Sequence, residues 1–322
     1  MNLKDISIPI TEELEYFHEQ FSKVLKSNVA LIDLITKYIL KQKGKRIRPI
    51  LVILSAKLAG SVTERTYIAA NLVELLHTAT LIHDDVVDEA TTRRGIASIN
   101  AVWKNKAAVL IGDYLLSKGL LISLEAHEYN FLQYTSEAVK RMSEGELLQI
   151  QKARNFDATE ETYFKVISDK TASLIKSCCK MGALSATSNE EHVERMGIFG
   201  ENLGIAFQLQ DDYLDYAGRK KLLGKSVGND LKEKKFTLPL IVALRNAPKK
   251  KSAEIMKLIK SDSKKKFDIV HDFVYEFEGM KYTEEKIKEY SQNAREAICI
   301  FRETETKKSL MKLVDFLEIR EH

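Results

Sequence analysis

Apolar residues recur at three- and four-residue spacing along nearly the whole chain, and that period admits little besides α-helix. From 12 to 40 the recurring positions include Leu14, Phe17, Phe21, Val24 and Leu25. The segment 49–60 begins with Pro49, suited to a first helical turn, and stops at Gly60, a common helix terminator. The stretch 64–90 places Leu72, Leu75, Leu76, Ala79 and Ile82 at the same spacing. Further helices are predicted over 106–126, 131–153, 159–187, 190–217 and 236–246, with shorter amphipathic pieces over 252–320. No alternating run long enough for a strand appears. Only 14 glycines and 4 prolines occur in 322 residues, so the residues on which tight turns depend are scarce. The expectation is an all-α fold in a single domain, 1–322. Its main loops fall at Gln42–Pro49, Glu89–Ile99 and Gly218–Lys235, where glycines and basic residues gather. Loops on a rigid scaffold are where function usually sits.

Charge narrows the classes of activity. Fifty basic residues against 46 acidic ones leave a net charge of +4, too even for a nucleic-acid binder. A hydrophobic fraction of 44% beside 30% charged residues belongs to a globular protein with a sizeable core. Lysine runs at 249–251 and 264–266 read as solvated surface. Cys178, Cys179 and Cys299 form neither a metal-ligand nor a disulfide pattern, which suits a reducing compartment. No apolar run reaches the ~20 residues of a membrane span, and the N-terminus lacks a signal-peptide core. A cytoplasmic protein without a stable membrane anchor is expected.

The feature that points to chemistry is duplicated. Asp84-Asp85-Val86-Val87-Asp88 lies near the end of one apolar helix, and Asp211-Asp212-Tyr213-Leu214-Asp215 near the end of another. Residues four apart in a helix share a face and sit about 6 Å apart along its axis. Asp84 with Asp88, and Asp211 with Asp215, therefore each present a pair of carboxylates. Such crowding is costly unless a cation relieves it. Donor sets of oxygen alone select hard ions, and Mg²⁺ in particular completes its shell with water and substrate phosphates. A di-iron bundle would want Glu-x-x-His pairs, and neither cluster supplies one. Basic groups accompany the acids: Gly44-Lys45-Arg46-Ile47-Arg48-Pro49, Arg93-Arg94-Gly95, Lys170-Thr171, Lys225 and Lys235. Arginine grips phosphate through a planar fork and lysine as a point charge, so the combination fits two phosphorylated ligands.

In order along the chain, GKRIRP (44–49), HTATLIHDDVVDEATTRRG (77–95), GDYLL (112–116), DKTASL (169–174), FQLQDDYLDY (207–216) and LGKSVGNDLKEKKFTLPL (223–240) resemble the trans-isoprenyl diphosphate synthases. The likeness is strong over about residues 40–240. It implies a helical bundle around a deep central cavity, the isoprenoid synthase fold, usually as a homodimer. It implies two or three Mg²⁺ ions, with Asp84, Asp88 and Asp211 as main ligands and Asp85, Asp212 and Asp215 in support. Those six aspartates, Arg93 and Lys170 form the implied catalytic set. Arg93, Lys170 and Lys225, with Thr171, Gln208 and Lys235 nearby, would hold an allylic diphosphate. Lys45, Arg48, His77 and Arg94 would hold isopentenyl diphosphate. Trp103 and the tyrosines read as packing. Two departures stand out: Lys43 precedes Gly44 where a second glycine is usual, and Glu233-Lys234-Lys235 lacks the family's glycine.

In that family a bulky aromatic four or five residues before the first aspartate blocks chain growth. Here the positions hold Thr80 and Ala79, so the resemblance implies a long product, about C30–C45 and centred on C40, with a floor near Leu76, Leu72 or Phe131. Quinone side chains would be its destination. The alternatives are a short-chain synthase making farnesyl or geranylgeranyl diphosphate, and a non-catalytic partner subunit. Such subunits usually lose one cluster. A terpene cyclase would replace the second cluster by an Asn/Ser/Glu motif.

Overall fold

The helical period is realised almost throughout the computed structural model, which describes residues 3–41, 44, 46–93, 95–155, 159–217, 235–261 and 266–318. Lys45, Arg94 and Lys225 lie outside the described residues. The helices are α1 (Leu3–Ser7), α2 (Thr11–Val24), α3 (Ala30–Lys41), α4 (Ile47–Ala59), α5 (Glu64–Val87), α6 (Ile99–Glu125), α7 (Tyr129–Asn155) and α8 (Glu160–Ile167). They continue as α9 (Ser173–Ala186), α10 (Glu190–Ala217), α11 (Leu238–Asn246), α12 (Lys249–Lys260), α13 (Lys266–Glu276), α14 (Gly279–Ala297) and α15 (Glu305–Glu318).

The fold class is all-α, and the departures from the predicted elements are local. The helix expected over 12–40 is two helices, because Ser27 Oγ accepts the Val29 N–H (3.2 Å) in a local turn that competes with helix. The segment 159–187 is also two helices, joined by a π-helical turn at Ser168–Ala172. α6 begins earlier than expected and is broken at Lys104 (φ 70°, ψ 162°), just ahead of the predicted start at 106. Two strands too short to leave a sequence pattern, β1 (Thr92–Arg93) and β2 (Ile96–Ala97), pair antiparallel with Arg93 opposite Ile96. Gly95 turns between them at φ 80°, a conformation open to glycine without strain.

The chain divides into two compact units, Met1–Glu137 with Ser177–Gly197 and Phe301–Leu310, and Ala138–Lys176 with Ile198–Ile300 and Met311–His322. In the first, α4 is apolar all round and buried from Pro49 to Ala56, while α5 packs along α6. α6 is apolar and long enough to cross a membrane by composition, unlike the reading of the sequence above. A third of its most apolar window is buried, and Ile111, Leu115 and Gly119 lie on that side. In the second unit α11 is the central element. Leu238, Ile241 and Val242 join a cluster with Tyr163, Ile205, Leu209 and Ile287. Leu240 and Ala243 join another with Tyr216, Val270, Phe273 and Met280. Each large apolar side chain so buried contributes about 1.5–3 kcal/mol.

Candidate active site

Each unit contains one aspartate cluster beside a cleft. In the second unit the cleft occupies about 710 Å³ and is lined by Gln149, Lys152, Tyr163, Lys170, Thr171, Gln208, Asp212, Lys235 and Thr237, with Thr162, Val166, Ile167 and Phe236. Helical spacing places Gln208 and Asp212 one turn apart on α10, and the Gln208 amide donates to Asp212 Oδ1 at 2.8 Å. Tyr163 donates its hydroxyl to Asp212 Oδ2 at 2.7 Å, and Thr171 donates to Gln208 Oε1 at 2.8 Å. Both oxygens of the buried Asp212 are thus engaged by neighbouring side chains. Asp211 is exposed and Asp215 half-buried. Lys170 forms an ion pair with Glu146 and donates to Gln149 Oε1 at 3.1 Å. Three lysines lining one cleft suit a ligand of several negative charges.

The first unit repeats the division. Asp84 and Asp88 are exposed, whereas Asp85 is buried and accepts a hydrogen bond from Arg93 Nε at 2.6 Å. The Asp85 carbonyl accepts from Ala90 N at 2.9 Å and from the Asn100 amide at 3.1 Å, so the end of α5 is tied to the start of α6, while Arg93 ties it to the β1–β2 ribbon. Asp85 and Arg93 line a cleft of about 570 Å³ together with Gly44, Arg46, Glu74, His77 and Thr78. Arg48 Nη1 lies 2.9 Å from His77 Nε2. A guanidinium can only donate, so this nitrogen accepts and the ring proton sits on Nδ1. Arg46 adopts a left-handed conformation ahead of α4 and contacts His18, whose pKa falls below its ordinary value through burial and the arginine's charge. Ala79 is buried and Thr80 half-buried on α5, with Thr80 Oγ1 donating to the His77 carbonyl at 2.9 Å.

The structure therefore gathers Lys170, Thr171, Gln208, Asp212 and Lys235 in one cleft, and His77, Asp85 and Arg93 in the other. Sequence reading missed Lys152 and Gln149, and named Arg46 only within the basic run 44–49. Tyr163, read as packing, does pack in the cluster around α11, and its hydroxyl also bonds Asp212, a partner 49 positions away that no local pattern reveals. Buried Cys178 and Cys179 stay neutral, because burial pushes both thiols up, Cys179 to about 12.

The donor set fits a hard divalent ion. The aspartates with solvent access are Asp84, Asp88, Asp211 and Asp215, and every one offers oxygen. Among the described residues no three His, Cys, Asp or Glu side chains converge on one point, so an ion held there needs water and phosphate oxygens to complete its shell.

Behind Lys170, Asp169 accepts from Arg141 Nε at 2.7 Å and from Lys165 Nζ at 2.9 Å. Burial alone would raise its pKa, but the bonds from Lys165 and Arg141 and their charges hold it below its ordinary 3.8. A carboxyl so depressed stabilises the fold above that value and ceases to do so as pH falls through the lower one. Denaturant midpoints should therefore favour the wild type over Asp169→Asn at pH 6, and the gap should narrow as pH falls below 3.8. A gap that persists there would contradict the ion-pair account.

Comparison with known proteins gives the same direction. The family model described as polyprenyl synthetase matches residues 29–276. The chain is 34% identical to octaprenyl diphosphate synthase of Escherichia coli (strain K12), covering 97% of each protein. Among solved structures it is similar to a decaprenyl diphosphate synthase from Rhodobacter capsulatus, at a TM-score of 0.93 and 30% identity over 100% of both chains. It is also similar to a polyprenyl synthase from Caulobacter crescentus CB15 complexed with calcium and isoprenyl diphosphate, at a TM-score of 0.90 and 30% identity, covering 100% of this chain and 98% of that one.

Proposed function

The chain belongs to the polyprenyl synthetase family and is a prenyltransferase, and from that premise we propose that it extends an allylic diphosphate by repeated addition of isopentenyl diphosphate to a long all-trans product. The observation that carries this reading is the pair of clefts, each with its own cations beside its own aspartate cluster.

In the second unit Lys152, Lys170 and Lys235 would hold the allylic diphosphate, with Thr171 and Gln208 fixing its orientation. In the first, Arg46, Arg48 and His77 would hold isopentenyl diphosphate. Asp84, Asp88 and Asp211 would hold Mg²⁺, with two or three ions in all. Bound Mg²⁺ supplies positive charge that makes diphosphate a better leaving group. The lysines share that work by stabilising negative charge on the oxygen as the allylic C–O bond breaks. The double bond of isopentenyl diphosphate then forms the new C–C bond, and a proton lost to the departing diphosphate restores the alkene. No side-chain nucleophile takes part. The apolar parts of each wall, Val166, Ile167 and Phe236 in one and Leu81, Ile82 and Ile99 in the other, exclude the water that would quench the cation.

The reading includes a single catalytic domain, a cytoplasmic setting and a homodimer. Val102, Leu110, Leu121 and Leu124 form an exposed apolar stripe on α6, and it is the face offered to a second copy.

The test is product sizing. Purified protein with Mg²⁺, farnesyl diphosphate and labelled isopentenyl diphosphate should give a ladder ending at about C30–C45. Arrest at C20 would keep the chemistry and refute the long product. Absence of any magnesium-dependent product would favour a partner subunit instead.

A further inference from the structure

Lys170 and Thr171 are adjacent in sequence, and both line the same cleft. So do Thr162 with Tyr163, and Val166 with Ile167. The lining pairs thus repeat every four residues. An α-helix turns about 100° per residue, so each four-residue step overshoots a full turn by about 40°. By the third pair a regular helix would have rotated its side chains about 80° away from the first. The π-helical turn at Ser168–Ala172 offsets part of this drift, because a π turn spends more residues per revolution. Without it, Lys170 and Thr171 would sit further round the helix from Thr162 and Tyr163.

A π turn is strained relative to α-helix and needs support from outside. Here the support is specific. Asp169 is only 5% exposed. Arg141 on α7 donates to Asp169 Oδ1 and, through Nη2, to Ser168 Oγ at 2.9 Å. Lys165 reaches Asp169 Oδ2, and the Asp169 carbonyl accepts from Ser173 Oγ at 2.6 Å. The flanking helices come unusually close. A Cβ on Gly145 of α7 would lie 3.0 Å from the Asp169 Cβ and 3.2 Å from the Lys170 nitrogen. A Cβ on Gly204 of α10 would lie 2.6 Å from the Ala172 Cα. The turn is clamped at Ser168, Asp169 and Ala172, and the two residues between face the cleft.

We propose that Asp169 is a positioning residue for the reaction: clamped by Arg141 and Lys165, it holds the π turn in the register that presents Lys170 and Thr171 together to the allylic diphosphate. Asp169 itself is buried and does not line the cleft. The inference rests on the second-unit cleft being the allylic diphosphate site.

The experiment compares wild type, Asp169→Asn, Lys170→Ala and the double variant. It reads Mg²⁺-dependent binding of inorganic pyrophosphate and KM for farnesyl and isopentenyl diphosphate. Asp169→Asn should weaken pyrophosphate binding and raise KM for farnesyl diphosphate about 10- to 100-fold, the scale expected when a contacting group moves by about an ångström. KM for isopentenyl diphosphate should stay put. In the Lys170→Ala background the same substitution should add less than about twofold, because the residue acts through its neighbour. Equal changes in both KM values, or a full additional loss in the Lys170→Ala background, would overturn the proposal as a merely structural effect. Unaltered pyrophosphate binding in Asp169→Asn would overturn it while leaving the diphosphate site intact. A wild type that ignores pyrophosphate would remove the site reading and the positioning role together. Should Asp169→Asn fail to fold, Lys165→Met removes one exposed partner and keeps Arg141. A shift of about threefold in the same direction supports the proposal, and none overturns it.

Discussion

Asp211→Ala and Asp84→Ala are each expected to cut turnover about 10³-fold or more, with melting temperatures close to the wild type's. Both carboxylates are exposed, so truncation leaves no cavity. What disappears is negative charge where the proposed reaction needs a divalent cation. Asp212→Ala should behave differently. It strips acceptors from Tyr163 and Gln208 inside a buried network, and the usual cost of such a loss is about 1–3 kcal/mol. Asp85→Ala should resemble it, because Arg93 then loses its carboxylate. Rate assays over a Mg²⁺ titration, paired with thermal melts, separate the two classes. Near-normal turnover in either Asp211→Ala or Asp84→Ala would remove the two-cluster mechanism.

Ala79→Tyr is expected to shorten the final product to about C15–C20. Ala79 is 2% exposed on α5, one turn before His83 and five residues before Asp84. A phenol there takes space that a growing tail would otherwise occupy. The first additions need little room and should proceed, so the signature is a truncated ladder with early steps preserved. Overpacking a tight site costs about 1–3 kcal/mol, so a melt belongs beside the product analysis. If Ala79→Tyr does not fold, Thr80→Phe at the half-buried neighbouring position makes the same test. Unchanged product length in a folded variant would refute the open-tunnel idea.

How much of this was legible beforehand differs between elements. The helical identity of 64–90 and 190–217 follows from apolar spacing, and the Gly60 stop from the known behaviour of glycine at helix ends; the structure gives Glu64–Val87, Glu190–Ala217 and Ile47–Ala59. The aspartate clusters were visible because repeated charge in apolar sequence is costly and so conspicuous. Their internal division was not. The Asp85 carboxylate turns inward to Arg93, which approaches on a two-residue strand too short to show a period. The π turn was equally hidden. It differs from α-helix by one step of hydrogen-bond register, and its cause lies in Gly145, Arg141 and Gly204 on other helices. Tyr163 gave no signal either, since a buried tyrosine in a helical pattern looks the same whether its hydroxyl meets a backbone carbonyl or a carboxylate.

α11 has a consequence for the second cleft. Its side chains are divided between two apolar clusters, so it cannot loosen without wetting both. The free energy of opening it locally therefore approaches that of unfolding the whole unit, and its amides rank among the slowest to exchange with solvent. Thr237, the residue from which α11 starts, also lines the cleft, and Lys235 stands two positions earlier. One wall of the cleft is thus fastened to the longest-lived part of its unit. That wall is the side of the cleft least able to move without unfolding its unit.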